Sequence, residues 1–396
     1  MSDDPSRDDD EGRDTSRRDG LHPAQPGDSL GPDGRYKTLH KLSGTKAATT
    51  WLSRDTRGNS YVSVKVLAVE ASRNPGFDSK LTNLEPWSDH KGVAHVANLI
   101  DQFWLEGPNG SHLCKVLPLL GPAISDDVWV PVTFTPEVLR KMCLQVIMGF
   151  DLVHCLDICH GNFCPANIHL KLQGVDDLSE EQLAAVLGQS AAQPSHQADS
   201  ETQGLTIVQP VDWSRVDPKY FSTDILIAGF ESSYDPRNPP EALGTPTSYR
   251  SPEVLIEGAR RADYKADNWA LGCTLFELRT GTELFGSGPD TEVNGVLLAM
   301  IKTLGTIPEP LWSSWADRRL YYYDDGTPQF MDDDFAASSP LEDLLTESST
   351  TAASRNGPID SGEAKLLADL LGQLLRYQAD DRVRADKAQH HDWFKL

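Results

Sequence analysis

Three short strings hold side chains whose types and spacing could do chemistry. Val62-Ser63-Val64-Lys65 alternates as a strand does and sets one cation on it. His160-Gly161-Asn162-Phe163-Cys164-Pro165-Ala166-Asn167-Ile168 offers an imidazole, two carboxamides and a thiol. A carboxamide can hold a hydroxyl but cannot accept its proton, so Asn162 and Asn167 can position groups but cannot serve as bases. Gly229-Phe230-Glu231 adds one carboxylate two residues after a glycine. Around the second string His154, Cys155, Cys159, His160, Cys164 and His169 are dense enough to suggest metal chemistry. No pair among them has the Cys-x-x-Cys spacing of a zinc site. Cys159 falls where a buried apolar residue is expected, so packing is the reading. Tyr321-Tyr322-Tyr323 is likewise expected to pack near a loop.

The elements that must position these strings change character along the chain. Residues 1–35 are rich in Asp, Ser, Arg, Gly and Pro without periodicity and read as a disordered acidic tail. Short alternating runs follow at Tyr36–Leu42, Thr49–Arg54, Tyr61–Val66, Val96–Phe103 and His112–Leu117, which predicts a small antiparallel sheet over 36–120. Asp78–Trp87 is the one expected helix there, cut short by Pro86. From 121 to 396 the pattern is helical. Thr135-Pro136-Glu137 caps an amphipathic run over Val138–Leu156. Further helices are expected at Asp267–Thr280, Gly295–Leu304 and Glu363–Arg376. Residues 173–222 read as an irregular insert with one short helix at Ser179–Leu187, and 324–358 as an acidic, Ser-rich loop.

Composition narrows the partners. The chain has 396 residues and a net charge of −23, which makes nucleic acid and anionic membrane poor default partners. Residues 36–120 are near neutral, with 7 acids and 10 bases, whereas 121–396 carry 42 acids against 21 bases, a net −21. Two bodies with different partners would show such a split. No run of about 20 apolar residues predicts a membrane span. The opening Met1–Asp14 stretch has no apolar core for a secretory signal. Six cysteines in this length suggest no disulfide framework. An intracellular setting, cytoplasmic or nuclear or both, is expected.

Taken in order, Lys41–Leu52, Val62–Lys65, His160–Ile168, Gly229–Glu231, Tyr249-Arg250-Ser251-Pro252-Glu253, Asp267–Cys273 and Asp381-Arg382 resemble the protein kinases. The closest likeness is to the SR-protein kinases, which phosphorylate serine/arginine-rich proteins. His22-Pro23, Gly107–Cys114 and the position of the insert resemble that group in particular. The resemblance implies an α+β, two-lobed fold, with a small antiparallel β lobe carrying one helix and a larger helical lobe. It also implies that Lys65 pairs with nucleotide phosphates, that Ser43, Gly44 and Thr45 belong to the phosphate loop, and that Leu117, Leu119 and Leu120 fall in the hinge. His160, Glu253, Asp267 and Arg382 match fold-holding positions, with Glu253 and Arg382 as a buried ion pair.

The chemistry-bearing positions depart from the family. Asn162 stands where the general-base Asp is expected, and Cys164 where a lysine over the γ phosphate is expected. Gly229 replaces the magnesium-binding Asp, leaving Asn167 as a weak metal ligand. Ser43, Thr45 and Ala48 replace the loop glycines. Asp78 is the nearest candidate for the acidic partner of Lys65. The expectation is therefore an SR-protein-kinase-like pseudokinase that acts as a binding or regulatory module. It would hold ATP weakly or not at all, with magnesium left open and basic Arg-Ser-rich segments as partners. An active Ser/Thr kinase with atypical residues and a nucleotide-free peptide-binding scaffold are the alternatives.

Overall fold

A computed structural model describes residues 20–125, 132–188, 192–194, 206–286, 292–329, 339–350 and 356–396. The chain divides into two compact units, one of Met1–Pro75, Ile100–Leu119 and Val175–Arg215, the other of Gly76–Leu99, Leu120–Gly174 and Val216–Leu396.

The first unit is built on β1 (Ser29–Leu30), β2 (Tyr36–Gly44), β3 (Ala48–Asp55), β4 (Ser60–Leu67), β5 (Asp101–Gly107) and β6 (Gly110–Pro118), in the order β1-β2-β3-β4-β6-β5. β2 and β4 carry alternating apolar positions, and Tyr36, Trp51, Val62, Val64, Val66, Phe103, Cys114 and Val116 form one core on a single face. The expected strand at Val96–Phe103 lies further along, at Asp101–Gly107. The two-residue loop Pro108-Asn109 sets Gly107 opposite Gly110 and so fixes the register, while Val96 makes an isolated parallel bridge to Ile227.

Residues 1–19 of the expected tail lie outside the described residues. Residues 20–35 do not behave as a tail. Leu21, Ala24 and Leu30 are buried, and β1 pairs with β2. Three apolar anchors are too few to show periodicity, yet enough to hold these sixteen residues against a sheet edge.

A short helix, α1 (Val69–Arg73), follows β4. The helix expected over Asp78–Trp87 is replaced by 3₁₀ turns at Asp78–Thr82 and Glu85–Trp87 in the second unit. Thr82 and Asn83 are poor helix formers, and Pro86 removes a donor.

The second unit is helical around a two-stranded ribbon. α2 (Pro136–Cys155) starts on the Thr135 cap, whose hydroxyl accepts from the Val138 N–H. β7 (Ile168–Leu172) follows. The insert then supplies α3 (Glu180–Leu187), opened by a Ser179/Gln182 capping box, and the paired β8 (Ala192–Pro194) and β9 (Thr206–Val208). This insert, counted with the second lobe from sequence, groups with the first unit. β10 (Phe221–Ile227) pairs antiparallel with β7.

The helices α4 (Pro252–Glu257), α5 (Tyr264–Thr280), α6 (Val293–Leu304), α7 (Leu311–Ser314), α8 (Leu341–Thr350), α9 (Ser361–Leu374) and α10 (Ala385–Ala388) complete the second unit. α8 lies inside the stretch expected to be a loop. Its Leu341 and Leu345 are buried, and burial outweighs the poor helix propensity of its Ser and Thr. No helix among the described residues is long and apolar enough to cross a membrane.

Candidate active site

In the second unit, the loop between α2 and β7 is tied down from two sides. Asp267 on α5 accepts the backbone N–H groups of His160 (2.6 Å) and Gly161 (3.3 Å). His160 is fully buried and its Nε2 meets the Ala228 carbonyl at 2.9 Å, while Nδ1 accepts from the Asn162 N–H at 3.3 Å. With Nδ1 an acceptor, the ring proton belongs on Nε2. Burial pushes the imidazole pKa down, so the ring is a neutral spacer. Its face packs against Phe230, with centroids 4.7 Å apart.

The Asn167 side chain is turned back onto the backbone of its own loop. The Asn167 amide donates to the Asn162 carbonyl at 2.7 Å. Gly229 has φ of 80°, and a Cβ built on it would overlap the Asn167 side-chain oxygen and stand 3.0 Å from the Asn167 Cβ. Asn167 thus fills the space that a side chain at 229 would need. The Asn162 Oδ1 is enclosed without a hydrogen-bond partner among the described residues. Burial raises the Cys164 thiol to about 11, so it is uncharged at neutral pH. Magnesium prefers near-octahedral oxygen ligands, usually with a carboxylate among them. Gly229 supplies none and the one amide oxygen is turned into the glycine's space, so these residues do not fit the ion.

In the first unit, Lys65 stands on β4 directly opposite Thr50 of β3 and Lys115 of β6. Lys115 is 1% exposed, and its ammonium donates to the Pro75 carbonyl. Sequence reasoning passed over it. The signal was its place between Cys114 and Val116 in an apolar strand. Ser43, Gly44 and Thr45 are exposed at the end of β2. The Thr45 hydroxyl accepts from the N–H groups of Ala47 and Ala48, each at 3.2 Å. Backbone amides that would face an anion in a glycine loop are thereby taken by the loop's own side chain. Leu117 is buried opposite Ser63 and Leu119 is half-buried, while Leu120, already in the second unit, is buried. Asp78 is buried at the start of its 3₁₀ turn in the second unit.

The second unit also holds its charges indoors. Arg382 reaches both Glu253 oxygens, at 2.7 and 2.6 Å, and also donates to the carbonyls of Lys265 and Arg376. A second buried pair was missed from sequence. Arg279, fully buried on α5, forks onto both Glu363 oxygens at 2.8 Å and donates to the carbonyls of Asn356 and Pro358. Tyr249 donates to Glu277. In the His/Cys stretch, Cys159 packs with Tyr234, Val254 and Ala266. His90, Asp151 and Cys155 come within 4.8 Å of one another. The His90 Nδ1 accepts from the Gly92 N–H, so its Nε2 proton faces Asp151 at 3.3 Å. A metal-binding histidine needs the opposite arrangement. Tyr321 stacks on Trp315 and Tyr322 meets Trp312 edge-on, an aromatic packing cluster.

An antiparallel sheet lobe with a helical lobe, a buried Glu–Arg pair and a histidine loop held from α5 make up the two-lobed protein kinase fold. The protein kinase domain family matches residues 227–394. Over 97% of this chain and 91% of its own length, the serine/threonine-protein kinase SRPK of Physarum polycephalum is 24% identical. Serine/threonine-protein kinase AFC3 of Arabidopsis thaliana is 26% identical over 99% of this chain and 87% of its own. The dual specificity protein kinase CLK1 of Mus musculus is 23% identical over 90% and 62%. Over most of its length the chain is similar to protein kinases of the SR-protein-kinase-like group.

Proposed function

We propose that this chain is a pseudokinase: it keeps the kinase fold as a binding or regulatory module, binds ATP weakly or not at all, and transfers little or no phosphate. The observation that carries this reading is the Asn167 side-chain oxygen lying in the space of a Cβ on Gly229. Phosphoryl transfer depends on positioned phosphates, neutralised charge and an oriented acceptor hydroxyl. Here the carboxylate is missing and its neighbour has collapsed into the gap. The capped amides of Ala47 and Ala48 support the reading independently. So does Asn162, which cannot take a proton; a general base is worth about 10²–10⁴ in rate.

The experiment is radiolabelled transfer from ATP to an Arg-Ser-repeat peptide, with Lys65→Ala as the blank. Incorporation indistinguishable from the blank is expected, with or without Mg²⁺. Transfer lost in Lys65→Ala would establish instead the active-kinase alternative, which the persistence of Lys65 and Asn167 favours. A strongly Mg²⁺-dependent rise in melting temperature with ATP would also count against the present reading.

As partners we propose basic Arg-Ser-rich segments, on the net −21 of residues 121–396. Arginine forks suit carboxylates, and Asp324 already accepts from Arg319 at 3.1 Å and Arg318 at 3.4 Å. The cluster Asp332-Asp333-Asp334 lies outside the described residues. Fluorescence anisotropy of Arg-Ser against Lys-Ser peptides of equal charge, across a salt series, tests the idea. Tighter binding of the arginine peptide at physiological salt is expected. Equal affinities that vanish together with salt reduce the attraction to diffuse charge, and a nucleotide-free scaffold differs only in showing no ATP response.

A further inference from the structure

The insert between β7 and β10 is held on the sheet by two separate limbs, both within the first unit. Residues directly opposite in an antiparallel ladder share a face, and alternate residues of one strand do too. Lys65, Ser63 and Tyr61 therefore share a face of β4. The register adds Arg54 and Leu52 of β3, Lys37 and His40 of β2, and Leu117 of β6 to that face. Three of these side chains bond to the outgoing limb. Lys37 meets Glu180 at 2.8 Å, the Tyr61 hydroxyl donates to the Leu178 carbonyl at 2.8 Å, and the His40 Nε2 meets the Gly188 carbonyl at 3.1 Å. Val175, Leu183 and Leu187 of this limb are buried.

The returning limb holds the edge strand and the opposite face. The Val211 N–H donates to the Lys41 carbonyl at 2.9 Å, and Val208 joins the core of Tyr36, Trp51 and Val64. The insert therefore engages both faces of β2 and its edge. His40, Leu52, Ser63 and Leu117 form one row across four strands, and Ser43, Thr50, Lys65 and Lys115 form the row beside it. The outgoing limb thus docks one row away from Lys65. Every member of the His40 row is buried.

We infer that the insert is an intramolecular strap: residues Leu178–Gly188 dock on the Lys65 face of the sheet and exclude nucleotide from it, so that strap release and nucleotide binding are coupled. The inference does not rest on the absence of phosphoryl transfer; it concerns access to Lys65 and would apply equally to an active enzyme. Coupling is reciprocal, so a ligand on the Lys65 face must loosen the strap by the factor by which the strap weakens the ligand.

The test uses the full chain in two arms. In the first, residues 178–188 are replaced by a Gly/Ser linker of equal length that leaves Val208–Trp213 in place, and ADP binding without Mg²⁺ is followed by fluorescence displacement. At least a fivefold gain in affinity over the unaltered chain is expected. Unchanged or weaker binding by the folded variant overturns the inference, as does absence of binding in both proteins. The second arm needs no folded variant: hydrogen exchange of the unaltered chain is measured at rising ADP. Faster exchange at residues 178–188 is expected as ADP binds. Slowed or constant exchange on saturation overturns the strap, and so does millimolar ADP without any change in exchange anywhere in the chain. Phosphate transfer enters neither readout, so a failure here is separate from a failure of the pseudokinase reading.

Discussion

The Asn167 side chain occupies the volume that a side chain on Gly229 would need, closer than real Cβ atoms approach one another. The two positions from which a kinase would hold its metal are therefore not one intact and one vacant. The glycine and the placement of the amide go together, because the space beside Gly229 is filled by Asn167 while its Nδ2 stays on the Asn162 backbone carbonyl.

Restoring the carboxylate alone should therefore fail. Gly229→Asp forces a side chain into occupied space and is expected to cost about 1–3 kcal/mol, the range for overpacking. Asn167→Gly in the same chain should recover much of that loss. A double-mutant cycle by denaturant unfolding should show coupling above about 0.5 kcal/mol; strict additivity would mean that the two residues do not compete.

The Glu253–Arg382 pair is buried and doubly bonded, so removal of one member leaves a charge stranded. Arg382→Ala is expected to cost about 3–5 kcal/mol. Arg279→Ala should cost less, about 1–3 kcal/mol, because Glu363 keeps Arg140 at 3.4 Å and the Trp393 N–H at 3.3 Å. A loss under about 1 kcal/mol in either would place the pair with exposed ion pairs.

Acid stability should carry a signature from the sheet unit. Arg35 forks onto Asp55, and this hydrogen bonding holds the Asp55 carboxyl down at about 2. A depressed folded-state pKa means stability that is present above the ordinary carboxylate value and lost as pH falls toward 2. Asp55→Asn should be less stable at neutral pH by about 2 kcal/mol. Its stability should also fall less steeply between pH 4 and 2, as measured by urea midpoints.

Thiol chemistry separates the cysteines. Burial raises the pKa of all six thiols, but Cys155 is exposed whereas Cys114, Cys143, Cys159, Cys164 and Cys273 are buried. Iodoacetamide at pH 8 should label Cys155 first in the folded protein, read by peptide mass spectrometry. Rapid labelling of Cys164 would show an open, ionised thiol and contradict its uncharged state.

Much of this protein was legible before any coordinates. The alternation around Tyr36, Trp51 and Val64 gave a sheet, and the Thr135-Pro136 cap gave α2, because both signals are local and repeat within a few residues. The motif order carried the family likeness, and residue type alone says that the Asn162 amide cannot take a proton and that Gly229 offers no ligand atom.

Only tertiary structure decided where freed or isolated groups went. That Asn167 moves into the space beside Gly229, that the Thr45 hydroxyl caps its own loop, and that Lys115 lies opposite Lys65 all depend on contacts set by register and turn geometry. The Arg279–Glu363 pair joins residues 84 positions apart with no motif around either. Residues 20–35 and the insert read as irregular, because their few apolar anchors (Leu21, Leu30, Leu183 and Val208) are too sparse to form a period. Their order comes from a surface built by other strands, and a sequence pattern records only the burial that a segment repeats along itself.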